Sequence, residues 1–151
     1  MKQSRFTNIL PILISGFLCS AGIADELKIE KAWIQSVPPT ADATAAYMII
    51  RNTGTQPFVL VGGSSPIAKE IQPMVTTRVK QNGNEILGMG SVDKLEIEPG
   101  ATLVLKPGGN HLMLMDLLSH PKEGERVKST IRFDPGNKAI DLDVPIYKQA
   151  P

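Results

Sequence analysis

Cysteine is almost missing from this chain of 151 residues: the single one is Cys19, in a stretch expected to be removed. Without it the remainder can form no disulfide, no thiolate metal site and no thiol–disulfide exchange centre. Aromatic residues make up 5%, too few for a base-stacking platform. Neither sign of charge dominates, with 16 basic and 15 acidic residues and no long run of either. That balance provides no electrostatic footprint for nucleic acid or a membrane surface. There is also no glycine-rich phosphate loop and no G-x-S-x-G elbow. Local signals for an enzyme are therefore absent, and none is expected.

The N-terminus has its own logic. Lys2 and Arg5 precede the apolar stretch "ILPILISGFLCSAGIA", which is short and interrupted by Pro11, Ser15 and Gly16. Gly22, Ile23 and Ala24 supply small residues for cleavage, the layout of a secretory signal peptide. The expected division is a cleaved signal over 1–24 and one exported domain over 25–151, with no membrane insertion after cleavage. Leu18 directly before Cys19 is too bulky for the usual lipidation cleavage, so a lipoprotein is not expected.

With 42% apolar residues and mean hydropathy near zero, the domain reads as globular and large enough for one core. It divides into short β-branched or alternating runs: "LKIEKAWIQSV", "AAYMIIRNTG", "PFVLVGGSSP", "EILGMGSVDKLEIEPG", "TLVLKPGG", "NHLMLMDLL", "RVKSTIRFD" and "KAIDLDVPIYK". Turn signals such as Pro99-Gly100 and Pro107-Gly108-Gly109 separate them. Some seven or eight strands at that spacing indicate an all-β sandwich or barrel. The span from about Ile67 to Asn84 is the least regular and reads as a loop or a hairpin. Asp93, Glu96 and Glu98 alternate with Val92, Leu95 and Ile97, as on a solvent-facing strand edge. His120, in "SHPKEG", reads as a solvated residue of an exposed turn.

The remaining chemistry lies in methionine and the other histidine. In "HLMLMDL", period-two alternation puts His111, Met113 and Met115 on one face and Leu112 and Leu114 on the other. Met89 lies between Gly88 and Gly90, which leave its thioether open. Met74 follows Pro73 in a polar segment, whereas Met48, between Tyr47 and Ile49, reads as core. Thioethers beside a neutral imidazole favour Cu(I) over zinc, calcium or magnesium. Methionine also fills core gaps well, so a Met-rich sandwich core explains the same residues.

Larger blocks narrow this choice. "AWIQSVPPTADATAAYMIIRNTG", "LVGGSSPIA" and "LEIEPGATLVLKPGGNHLMLMDL" resemble, in order and spacing, the periplasmic copper chaperones of the PCuAC type over almost the whole domain. The resemblance implies a single-domain, cupredoxin-like Greek-key β-sandwich. It implies a metal site of Met89, His111 and Met113, with 21 residues between the first two as the family pattern expects. The family's first ligand position, usually histidine, falls on Met74. That substitution leaves three thioethers and one imidazole, which favours Cu(I) further over Cu(II). It also leaves open a sandwich that has lost its metal function and instead holds a protein partner. Met115 lies outside the motif, where packing or support behind the ligands is its expected role. The implied activity is delivery of Cu(I) by ligand exchange to a respiratory copper enzyme, such as a cytochrome c oxidase subunit, or to another copper chaperone. Blue-copper electron transfer is disfavoured for want of cysteine. A monomer is expected.

Overall fold

The computed structural model describes residues 26–151, and all regular structure among them is strand. The expected signal segment and Cys19 lie outside the described residues. Ten strands follow one another: β1 Leu27–Gln35, β2 Ala43–Asn52, β3 Phe58–Ser65, β4 Ala68–Gln81 and β5 Asn84–Ser91, then β6 Leu95–Ile97, β7 Thr102–Leu105, β8 His111–Leu117, β9 Arg126–Asp134 and β10 Lys138–Tyr147. Proline–glycine pairs set the turns. Ala101 N–H donates to the Glu98 carbonyl and Gly109 N–H to that of Lys106, with Gly100 and Gly108 at φ of +75° and +74°. Proline followed by a left-handed glycine is the signature of a type II turn.

Sheet order runs β4–β8–β2–β1–β10–β9–β3, and β3 pairs back onto β4, so the path closes on itself. The result is a cupredoxin-like β-sandwich whose main strands have no free edge, which removes the usual template for edge-to-edge association. Leu60, Ile50, Leu112, Phe133 and Ile146 meet in its core and are fully buried. Met48 is core as well, at 2% exposure.

A β-bulge in β1 decides what lies on the outside. Glu30 pairs with Ile49 and Trp33 with Tyr47, so Lys31 and Ala32 together oppose Met48, with Lys31 at φ +51°. The extra residue inverts the alternation. Leu27 and Ile29 point inward before it and Ile34 after it, while Trp33 joins an outer cluster with Ala45, Tyr47 and Tyr147.

Two expectations change and one is narrowed. The strands number ten rather than seven or eight, because "EILGMGSVDKLEIEPG" divides into β5 and β6 and residues 68–81 form one long strand. The segment read as a loop or a hairpin is a hairpin, formed by β4 with β5. Its polar composition reflects solvent rather than absence of structure: from Val75 to Gln81, β4 pairs among the described residues with β5 alone. The β4–β5 pair therefore leaves the body as a two-stranded arm with Val79, Ile86, Leu87 and Met89 exposed. Finally, His120 is half-buried rather than solvated, with Nε2 bonded to the Ala41 carbonyl at 3.2 Å.

Candidate metal centre

The site face begins on β8. Leu112 and Leu114 are anchored in the core, which turns His111, Met113 and Met115 to the other side. In antiparallel pairs, residues opposite one another share a face. Met113 stands opposite Ala45 and Met115 opposite Ala43 on β2, and these small side chains leave a depression over Met113. On the other flank of β8, Met74 stands opposite His111 and Gln72 opposite Met113. One strand further out, Met89 stands opposite Thr76, two residues along β4 from Met74. Register thus puts Met74, Met89, His111 and Met113 on one face of three adjacent strands, β5, β4 and β8.

Three of the four converge. Met89, His111 and Met113 line one hollow of about 330 Å³, with Ala45, Tyr47, Thr76, Leu87 and Gly108 completing its wall. Met74 is half-buried beside His111 but does not contribute to that lining. Met115 lies outside it too, two residues along β8. The volume exceeds what a single ion needs.

His111 is held in one orientation. Strands β7 and β8 both run along β2, with Leu105 opposite Met48 and Leu112 opposite Ala46. Residues 106–110 therefore loop out from a single line of pairing, next to Tyr47. The His111 ring lies 6.3 Å from that of Tyr47, and the imidazole is 6% exposed. Its Nδ1–H donates to the Gly109 carbonyl at 2.9 Å. A carbonyl can only accept, so Nδ1 carries a proton, and in the neutral ring Nε2 is the nitrogen that offers a lone pair. A backbone partner of this kind fixes the tautomer and aim of a metal-binding histidine.

The same carbonyl accepts from Thr76 Oγ1 at 2.8 Å, and Thr76 N–H donates to Asn110 Oδ1 at 3.3 Å. Thr76 is the residue opposite Met89, so these bonds tie the root of the arm to the loop that aims His111. Burial raises the Tyr47 phenol above its usual value. It stays neutral and donates to Gln35 Oε1 at 3.1 Å, adding no anionic oxygen to the hollow. Among the described residues, no group of three or more His, Cys, Asp or Glu is placed to hold a metal. The donors gathered here are thioether and imidazole, suited to a soft ion.

Sequence reasoning missed Thr76, Tyr47 and the Gly109 carbonyl. Thr76 and Gly109 are 33 residues apart, and no spacing signal joins them. The two alanines opposite the methionines could have been noticed only with the register in hand.

The family model named "LpqE-like" matches residues 27–146. The chain belongs to this family, of the PCuAC type. A relative carrying the name "Putative lipoprotein Lxx21020", from Leifsonia xyli subsp. xyli (strain CTCB07), is 34% identical over 123 residues, 82% of this chain and 70% of the relative. Among solved structures, the solution structure of CuI-DR1885 from Deinococcus radiodurans aligns with a TM-score of 0.66 at 32% identity, covering 86% of this chain and 83% of that one. A copper-bound PCuAC domain from PmoF2 aligns with a TM-score of 0.67 over 83% of this chain and 94% of that domain. At 21% identity the PmoF2 domain speaks for the fold alone.

Proposed function

We propose that this protein is an exported copper chaperone that binds one Cu(I) through Met89, His111 and Met113, with Met74 as fourth donor. The observation carrying this reading is the convergence of two thioethers and one imidazole, its Nε2 lone pair left free, in an open hollow without thiolate or carboxylate. The relative DR1885 points the same way, since it was solved with CuI. Met74 is included because it stands opposite His111 on the same face. A short rotation of its unbranched side chain brings the sulfur toward the ion. Three thioethers and one imidazole hold Cu(I) well and Cu(II) poorly.

Transfer follows from how unevenly the donors are held. His111 is fixed by Gly109 and Met113 by strand pairing, whereas Met89 rides on the exposed arm. An acceptor approaching over the arm displaces Met89 first, and its own donor takes the vacated position. Met74 and Met113 then exchange, and His111 leaves last. Each step trades one modest soft bond for another, so no intermediate carries a bare ion. The acceptor fitting this chemistry is a respiratory copper protein, such as a cytochrome c oxidase subunit, or a second copper chaperone.

Anaerobic titration with Cu(I) against a competing chelator tests the reading. One tight equivalent is expected, lost in His111→Ala and Met113→Leu while the fold is retained. A folded protein that binds no Cu(I) would refute it.

A further inference from the structure

Five methionines lie among the described residues, and they differ widely in access to solvent. Met48 stands opposite Leu105 in the core, and Met74, Met113 and Met115 are half-buried. Met89 is 66% exposed on β5, the end strand of the sheet. Its neighbours do nothing to cover it. A Cβ built on Gly90 would meet nothing within 4 Å, and one on Gly88 would first meet only Thr77 Oγ1 at 3.3 Å. The donor that completes the hollow is thus also the thioether most open to attack.

We propose that Met89 is the oxidation-sensitive donor of the site: hydrogen peroxide converts its thioether to the sulfoxide and unloads the metal, and a bound soft ion shields it. This inference rests on the ligand reading above. A sulfur lone pair attacks one peroxide oxygen, and the S–O bond forms as the O–O bond breaks. The departing hydroxide takes the proton from the oxygen now on sulfur and leaves as water. The thioether loses two electrons and the peroxide gains them. The product offers a hard oxygen in place of a soft sulfur, a poor exchange for Cu(I). A metal bound at the sulfur draws on the electron density the attack requires, so the loaded form reacts more slowly. Methionine sulfoxide reductases reverse the change, which makes it a switch rather than damage.

Trypsin isolates Met89 in its own peptide, residues 81–94, apart from every other methionine. The metal-free protein is therefore treated with graded hydrogen peroxide and its sulfoxides are located by peptide mass mapping. A second sample carries Ag(I), a soft ion that does not cycle with peroxide. Met89 is expected to oxidise at least about tenfold faster than any other methionine, and Ag(I) to slow it at least about tenfold. Cu(I) affinity after oxidation should fall at least about tenfold and return on treatment with the reductases. In Met89→Leu, peroxide at the same dose should leave the affinity of the variant unchanged. Even oxidation of the half-buried methionines, or no protection by Ag(I), would overturn the proposal. If untreated protein binds one Cu(I) yet Met89 is not oxidised first, the ligand reading stands and this inference fails. If Met89 oxidises first but untreated protein binds no Cu(I), the ligand reading fails and takes this inference with it.

Discussion

The body strand β8 and the β4–β5 arm contribute to the same hollow on very different terms. β8 is paired on both sides and seated by Leu112 and Leu114 in the core. Among the described residues the outer arm pairs with no strand beyond its own hairpin, and an isolated two-stranded hairpin is only marginally stable in water. One side of the site is therefore prearranged and the other is loosely held, an arrangement that suits capture followed by surrender. Thr76 marks the boundary, since its bonds to Gly109 and Asn110 are the arm's tie to the loop before β8.

The contrast is sharpest in stability. Leu112→Ala opens a cavity under β8 and should cost about 3 kcal/mol. Leu87→Ala on the arm should stay within about 0.5 kcal/mol. Denaturant unfolding measures both, and equal effects would mean that the arm is packed as firmly as the body. Affinity comes next. His111→Ala removes the only imidazole donor, the one aimed by Gly109, and should weaken Cu(I) binding by more than about 100-fold, beyond what loss of a supporting group costs. Met89→Leu should lower affinity by about 10–100-fold, mainly through faster dissociation measured in stopped-flow transfer to a chelator, with stability unchanged. Thr76→Val keeps the shape of the side chain but removes the hydroxyl bond to Gly109. A loss near the low end, about tenfold, is expected without change in the number of copper ions bound.

Much of the architecture could be read in advance because local rules agree with the fold. Alternation in "HLMLMDL" puts Leu112 and Leu114 in the core, and proline–glycine pairs end strands where the type II turns occur. β4 escaped notice because Pro73 interrupts the run and polar residues follow it. Proline inside a strand usually demotes the assignment, yet here pairing with β8 on one side and β5 on the other holds the backbone extended. Trp33 is a second instance: strict alternation from Leu27 would send it inward, and only the bulge at Lys31 turns it out beside Tyr47. In the site itself, alternation puts His111 and Met113 on one face, and the convergence of Met89 is a matter of strand register. The Gly109 carbonyl that sets the His111 tautomer and the Thr76 hydroxyl that shares it follow from loop geometry alone, as does the Ala41 carbonyl that draws His120 into the surface.

X-ray absorption at the copper edge of the Cu(I)-loaded protein tests the central claim most directly. The account predicts a coordination sphere of sulfur with one imidazole nitrogen, whose sulfur count falls by one in Met89→Leu. A sphere of nitrogen and oxygen alone, or a sulfur count unmoved by that substitution, would contradict it.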